Sequence, residues 1–264
     1  MAKIIFLGTS GDSIVTGKQL RASGGIIFNY NNMQFHIDPG PGALVRAQQY
    51  GINIRETTAI LASHNHTNHA SSVNALISGM TLNGMDKKGI LIANKGITEG
   101  KNSFVTEYNQ TLLERVINMD GVAKVGINNI DIVKTPVINH AGNGFKITTP
   151  EFILSYTSDT ENGVELKKAH EDSNIIIINC KHPSGVSQEG HMNVDDVIDF
   201  LKATKPSLGI ITHFGIKMIQ KNPLDETRII QRESKVQIIA AKDGMEINPK
   251  DYSASLKQKK LKSY

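Results

Sequence analysis

The chain has 264 residues, of which 39% are hydrophobic and 20% charged, the balance of a globular protein able to bury a core. Cys180 is its one cysteine, which excludes an internal disulfide or a cysteine-based metal cluster and favours a reducing, cytoplasmic compartment. No apolar run approaches the roughly 20 residues of a transmembrane helix, and the N-terminus is typical of a buried strand rather than a secretory signal. We therefore expect no membrane association.

The formal net charge of +4 is concentrated at the end of the chain. The last ten residues contain no acid and four lysines: Lys257, Lys259, Lys260 and Lys262. The rest of the chain is near neutrality. We therefore predict one domain at residues 1–250 and a basic tail at 251–264. A polyanion-binding arm is the alternative interpretation of this tail, so nucleic acid has only weak support as a partner.

In the first half of the chain, short apolar runs alternate with helical patterns. Strands are predicted at an N-terminal run ending at residue 7 and at residues 26–30, 34–38 and 59–62, with a hairpin turn at Asn31-Asn32. Helices are predicted at residues 43–50 and where Val73, Leu76, Ile77 and Met80 recur at helical spacing. Residues 81–121 are expected to mix a short strand pair with a helix.

In the second half, strands are predicted at residues 130–137, 145–149, 152–157, 175–179, 208–212 and 236–240. Asn193 is expected to cap a helix that has Asp195 and Asp196 in its first turn, and Asn222-Pro223 to begin another. Strands with interspersed helices and short connections favour a layered α+β protein.

The most informative segment is His64-Asn-His-Thr-Asn-His69, directly after the predicted strand 59–62. Imidazole is the commonest metal ligand, and His64 and His66 project to the same side of an extended backbone. His69 follows where a helix begins, and that turn can bring its ring back toward the other two. This cluster predicts a transition-metal site of the kind that zinc occupies.

Further polar residues follow other predicted strands: His140, Asp159 and His213. If these strands lie side by side with their ends aligned, the side chains converge on one rim, where loops on a rigid sheet carry binding and catalytic groups. His36 and His170 are interpreted as ordinary hydrogen-bonded or surface histidines, while His182 is left open as a pocket residue.

The segment Ser63-His-Asn-His-Thr-Asn-His69 resembles the His-x-His-x-Asp-His signature of the metallo-β-lactamase superfamily, with Asn68 in place of the aspartate. The order and character of the elements resemble this superfamily over roughly residues 3–248. The resemblance implies a single four-layer αββα sandwich with a metal site at the rim between its sheets. It also implies a ligand set: His64, His66 and His140 for a first ion, His69 and His213 for a second, and Asp159 as a bridge.

His191, in Glu-Gly-His-Met-Asn, resembles in its position a histidine of the ribonuclease Z and phosphoribosyl cyclic phosphodiesterase branch. In that branch it stabilises or protonates the leaving group. His140 and Asp159 are only 19 positions apart, as in the cyclic phosphodiesterases, which leaves no room for the tRNA-gripping arm usual in ribonuclease Z. The superfamily's lactonases commonly have a tyrosine where this chain has Asn162. The segment Ile211-Thr-His-Phe-Gly also resembles archaeal members.

Asn68 offers a neutral carbonyl oxygen, a weaker partner for zinc than a carboxylate. Three hypotheses follow: a weakened second metal site, an impaired hydrolase kept as a metal-bound binding module, or an engineered substitution that traps a ligand.

The resemblance and the residues together predict an enzyme, a metal-dependent hydrolase in which water activated by one or two zinc ions attacks a phosphodiester, small and cyclic or nucleotide-like. His191, Asp159 and Asn68 are its candidate catalytic residues. Manganese or iron in place of zinc, and a homodimer, remain open. The alternative reaction is hydrolysis of a lactone, thioester or β-lactam at the same centre.

Overall fold

A computed structural model of the protein describes residues 1–100 and 103–253. Its strands, in chain order, are β1 (Ala2–Phe6), β2 (Ile26–Tyr30), β3 (Met33–Ile37), β4 (Thr57–Ala62), β5 (Ile90–Ala93), β6 (Arg115–Asn118), β7 (Lys124–Ile127), β8 (Ile130–Thr135), β9 (Gly144–Thr148), β10 (Ile153–Tyr156), β11 (Ile175–His182), β12 (Met192–Asn193), β13 (Leu208–Thr212), β14 (Ile238–Ala240) and β15 (Glu246–Ile247). Its α-helices are α1 (Ser13–Gly17), α2 (Ala43–Gln49), α3 (Thr67–Ala70), α4 (Val73–Thr81), α5 (Lys95–Thr98), α6 (Glu107–Thr111), α7 (Val164–His170), α8 (Val194–Thr204), α9 (Ile216–Lys221) and α10 (Pro223–Ser234).

The chain forms two compact units. The first unit comprises Met1–Ala123 and Lys242–Ile247, and the second comprises Lys124–Ala241 and the chain from Asn248. Each unit has its own mixed sheet and its own helices. Within residues 1–100 and 103–253, every helix is too short or too polar to span a bilayer.

The sheet of the first unit has the strand order β15-β1-β2-β3-β4-β5-β6. Strands β15 to β3 pair antiparallel, whereas β3, β4, β5 and β6 run parallel. The parallel strands are nearly continuous apolar runs because they are covered by protein, and α4 packs Leu76, Ile77 and Met80 against Ile60 and Leu91. Each fully buried aliphatic side chain of this kind contributes about 2 kcal/mol. This packing fixes the carboxyl ends of β3, β4 and β5.

The sheet of the second unit has the order β14-β13-β11-β10-β9-β8-β7, with β12 attached to β11. Strands β7 to β10 form an antiparallel meander, and β10, β11, β13 and β14 run parallel. Buried Phe200 and Leu201 of α8 and Ile230 of α10 belong to one core cluster with Ile176 and Ile211 of the sheet. This core fixes the carboxyl ends of β10, β11 and β13.

The predicted cap of α8 is present as a reciprocal capping box. The side chain of Asn193 accepts from the backbone N–H of Asp196 at 3.0 Å, and the carboxylate of Asp196 accepts from the N–H of Asn193 at 3.0 Å. Because Asn193 also belongs to β12, which pairs with β11, this cap holds the preceding residues against the sheet.

The structure confirms the predicted α+β class, with two sheets and helices, and differs from the predicted elements mainly at their boundaries. Strand β8 ends at Thr135 rather than at residue 137, and β11 continues to His182 rather than ending at residue 179. The strand pair expected between residues 81 and 121 is β5 with β6. The predicted tail begins within a short 3-10 helix at Pro249–Tyr252, and its residues 254–264 lie outside the described residues.

Candidate metal-binding residues

In the first unit, the candidate ligands follow the carboxyl ends of parallel strands. Asp38 comes directly after β3, and Ser63 and His64 follow β4. Because neighbouring parallel strands end at the same edge of a sheet, these side chains lie together, and the turn into α3 adds His69. Asp38, Ser63, His64 and His69 are all buried, with at most 5% of each residue exposed.

The carboxylate of Asp38 organises this turn. Its Oδ1 accepts from the backbone N–H of Ser63 at 2.7 Å, and its Oδ2 accepts from the Ser63 hydroxyl at 2.7 Å and from Nδ1 of His69 at 2.8 Å. A buried carboxylate needs such donors to offset the loss of water. Asp38 therefore positions both the backbone and the imidazole of the histidine segment.

These hydrogen bonds also determine which ring nitrogens carry protons. A carboxylate only accepts, so His69 is protonated at Nδ1 and its Nε2 keeps a lone pair. The Ser63 hydroxyl gives its proton to Asp38 and therefore accepts from Nδ1 of His64 at 2.9 Å, which leaves the lone pair of His64 on Nε2. Holding a ligand's tautomer through its far nitrogen is the usual arrangement around metal-binding histidines.

His66 completes the cluster of the first unit. It is exposed, its Nδ1 lies 3.1 Å from Nε2 of His64, and the ring centroids of His64 and His69 are 4.1 Å apart. Asn68 lies in the same turn, where its backbone carbonyl oxygen accepts from the Ser23 hydroxyl at 3.1 Å. A Cβ at Gly40 would lie 2.1 Å from that oxygen, so this close approach requires glycine.

In the second unit, the centre of the candidate site is Asp159, which is 1% exposed and follows β10. Its Oδ1 accepts from the side-chain amide of Asn179 at 2.7 Å, and that amide also lies 3.1 Å from the hydroxyl oxygen of Tyr156. Asn179 belongs to β11, which pairs in parallel with β10. The neighbouring strand therefore orients the carboxylate without adding a second negative charge.

Two further histidines lie near Asp159 in the second unit. His213 follows β13, and its Nε2 is 3.2 Å from Oδ1 of Asp159. His140 donates from Nδ1 to the carbonyl oxygen of Ala141 at 2.8 Å, which leaves a lone pair on its Nε2. The second unit thus presents imidazole and carboxylate donors close together, as the first unit presents imidazoles.

His191 lies among these groups. Its Nδ1 is 3.7 Å from Oδ2 of Asp159, its ring stacks on that of His213 at 6.3 Å, and it lies 5.5 Å from the ring of His140. Burial lowers the pKa of His191 to about 3, the positive groups of Lys181, His213 and His140 also lower it, and the Asp159 carboxylate opposes them. The imidazole is therefore neutral near pH 7.

Within its own unit, each predicted site residue is beside others of the set: His64, His66, Asn68 and His69 in the first, and His140, Asp159, His191 and His213 in the second. Side chains of the described chain that could hold a metal ion are His64, His66, His69, His140, Asp159 and His213. Sequence reasoning did not identify Asp38, Ser63, Asn179 or Lys181 as site residues. The rule that found Asp159, a polar residue just past a strand, also applies to Asp38.

Two mixed sheets with helices and histidine–aspartate donor sets define a metallo-hydrolase fold. A family model described as "Beta-lactamase superfamily domain" matches residues 34–214, and the chain belongs to this family. The uncharacterized protein MJ1374 of Methanocaldococcus jannaschii is 31% identical over 252 residues, which cover 93% of this chain and 94% of that protein.

Solved structures with low sequence identity share the fold. The metallo-β-lactamase fold protein YhfI from Bacillus subtilis has a TM-score of 0.77 at 16% identity, covering 93% of this chain and 98% of YhfI. A diphosphatase from the PhnP family has a TM-score of 0.67 at 18% identity, covering 94% and 97%. Human tRNase Z, short form, has a TM-score of 0.66 at 13% identity, covering 93% and 98%. These likenesses show that the chain shares the fold of the three proteins.

Proposed function

We propose that this protein is a metal-dependent hydrolase of phosphodiesters, with zinc as its metal and one or two ions per chain. His64, His66 and His140 would hold a first ion, His69 and His213 a second, and Asp159 would bridge them. The chemistry of the donors fits: borderline-soft imidazole nitrogens and a carboxylate suit zinc, and manganese or iron are the alternatives. Zinc supplies Lewis acidity and lowers the pKa of water.

The chain's own residues prepare this chemistry. Asp38 and the Ser63 hydroxyl hold the lone pairs of His64 and His69 on Nε2, so these ligands need no tautomer change before they bind. Asn179 holds Asp159 in one orientation. Such preorganised supporting contacts are worth about 10- to 100-fold in metal affinity.

The observation that carries the phosphodiester assignment is the position of His191. It is a buried, neutral imidazole beside Asp159, and it is not needed in the ligand set. We assign it to the leaving oxygen, which gains negative charge as the phosphorus–oxygen bond breaks and is stabilised by a nearby N–H donor. Two structural neighbours, the diphosphatase and tRNase Z, carry names for phosphate chemistry, which supports the same substrate class.

The test uses zinc-supplied protein and compares bis(p-nitrophenyl) phosphate with a lactone, a thioester and a β-lactam. We expect turnover of the phosphodiester at least tenfold above the other three. His191→Ala should lower the rate about 100-fold on diphenyl phosphate, whose leaving group is poor, and less than tenfold on the p-nitrophenyl ester. Equal losses on both esters would refute the leaving-group role, and preferential lactone turnover would refute the substrate class.

Asn68 supports a second candidate, a metal-bound binding module without turnover. A neutral amide oxygen in place of a carboxylate weakens the second ion's site, and it cannot accept or relay a proton. Metal content per chain, measured by elemental analysis after purification without added metal, separates the two. About two zinc ions favour the hydrolase, and one ion without turnover on any of the four substrates favours the binding module.

A further inference from the structure

Lys181 lies at the same edge of the second unit's sheet as Asp159 and His213. It is the penultimate residue of β11, which pairs in parallel with β10 on one side and with β13 on the other. Asp159 follows β10 and His213 follows β13, so the carboxyl ends of three adjacent strands bring a carboxylate, an ammonium group and an imidazole to one edge.

Backbone contacts fix the position of Lys181. Its carbonyl oxygen accepts from the N–H of Gly215 at 3.0 Å, in the turn that follows His213. The pairing of β12 with β11, in which Met192 lies opposite Cys180, holds His191 beside it. Because strands position side chains more rigidly than loops do, the backbone of Lys181 holds the base of its side chain in a defined position.

The side chain of Lys181 is half-buried and contacts His191, with 3.1 Å between Nζ of the lysine and Nε2 of the histidine. An ammonium group can only donate, so the imidazole accepts at Nε2 and the lysine keeps its positive charge. The positive charge therefore stands next to the group that we assign to the leaving oxygen.

We infer that Lys181 determines specificity for anionic esters by binding a negatively charged oxygen of the substrate beside His191. This inference rests on the proposed function. A phosphodiester carries a full negative charge that a charge-assisted hydrogen bond can recognise, and the charge on its oxygens increases as water adds to phosphorus. A lactone or thioester has no such charge in the ground state and gains little from Lys181 before reaction.

The alternative is that Lys181 only balances the charge of Asp159 and thereby supports the fold or the metal site. The two roles predict different effects when Lys181 is replaced. A substrate-binding lysine affects KM and the affinity for free phosphate, whereas a charge-balancing lysine affects metal content and stability.

The experiment uses the full zinc-loaded chain and three variants: Lys181→Met, Lys181→Arg and, as a matched loss of one exposed positive charge in the same unit, Lys217→Met. Inorganic phosphate is the probe, titrated by calorimetry, with zinc content and the KM and kcat for bis(p-nitrophenyl) phosphate measured beside it. We expect Lys181→Met to raise the phosphate Kd and the KM about tenfold at unchanged zinc content. The phosphate Kd and the KM of Lys181→Arg should stay within about threefold of the wild-type values. Those of Lys217→Met should equal the wild-type values.

Unchanged phosphate affinity in Lys181→Met would overturn the inference, as would a loss of zinc with unchanged phosphate affinity per loaded chain. Wild-type protein that fails to bind phosphate would also overturn it. If the wild type binds zinc and phosphate but hydrolyses no phosphodiester, the proposed function fails, and the Lys181→Met titration still decides whether Lys181 recognises the anion.

Discussion

Replacing Asp38 by asparagine tests whether one buried carboxylate sets the proton positions on two candidate metal ligands. Asparagine keeps the shape of the side chain and one acceptor oxygen. Because the backbone N–H of Ser63 can only donate, that oxygen must take the place of Oδ1, and the new amide nitrogen takes the place of Oδ2. There it faces the Ser63 hydroxyl and Nδ1 of His69. Nδ1 of His69 must then accept, which moves its proton to Nε2, the atom needed for metal.

The structure gives the size of this effect. Two hydrogen bonds to a buried carboxylate, at 2.7 and 2.8 Å, are replaced by weaker neutral ones. Hydrogen bonds to charged groups contribute roughly 1.5–3 kcal/mol each and neutral ones about 1 kcal/mol, so the free energy of unfolding should fall by about 1–4 kcal/mol. Zinc affinity should fall about 10- to 100-fold, as it does when partners behind metal-binding histidines are removed.

Urea unfolding measures the stability and competition with a chromophoric chelator measures zinc affinity. Asp86→Asn is the matched control in the same unit, because Asp86 forms a partly exposed ion pair with Arg55 at 2.8 Å. Its loss should cost less than about 1 kcal/mol and leave zinc affinity unchanged. Zinc affinity of Asp38→Asn within twofold of wild type would refute the reasoning that Asp38 sets the tautomer of His69.

Three further perturbations have defined outcomes. Burial lowers the pKa of His170 to about 3, so the unfolded chain takes up the proton first as the pH falls. The free energy of unfolding should therefore fall by about 1.4 kcal/mol per pH unit from about pH 6.5 toward pH 3. Urea unfolding measured at several pH values should show a weaker dependence of this free energy on pH for His170→Phe. Gly190→Ala adds a Cβ at φ +72°, 2.9 Å from Cδ2 of His140. It should lower the free energy of unfolding by about 1–2 kcal/mol and weaken zinc binding. Gly185→Ala, at φ +74° in open space, is the control for backbone strain alone. Asn68→Asp should raise the zinc content per chain measured by elemental analysis, and unchanged stoichiometry and turnover would mean that Asn68 is not limiting.

The sequence predicts secondary structure well where burial alone determines the pattern of apolar residues. The four isoleucines Ile175–Ile178 are fully buried in the parallel strand β11, and four consecutive isoleucines are typical of such a strand. The end of β11 was missed because Lys181 and His182 are polar, and only the pairing of β12 and the turn after β13 keep the chain extended there. Helix α1 and strand β15 have five and two residues, too short for any periodicity to show.

The candidate ligands could be predicted from the sequence, but the residues that orient them could not. Histidines and an aspartate placed just past apolar strands are visible in a sequence, whereas the residues that orient them depend on which strands become neighbours. From the sequence, Asp38 is only the last residue of a predicted strand, and its contact with Ser63 depends on the parallel pairing of β3 with β4. Asn179 reads as the polar end of a strand until β11 pairs with β10. His170 was interpreted as an ordinary hydrogen-bonded or surface histidine, but its ring is buried against Phe200.

Left-handed backbone conformations occur at or beside candidate site residues in each of the two units. Asp38 and His213 have φ angles of +49° and +65°, and Asp159 and His140 directly follow Ser158 at +60° and Asn139 at +52°. A left-handed conformation costs roughly 1–2 kcal/mol for a residue with a Cβ, and glycine would avoid that cost. At Asp38 a glycine would lose the buried hydrogen bonds that the carboxylate accepts from Ser63 and His69, and these contacts offset the strain. The side chain of Ser158 is outside the ligand set, so Ser158→Gly should relieve the strain and stabilise the chain while zinc binding stays intact. A loss of zinc in this variant would show that the strained turn itself positions Asp159.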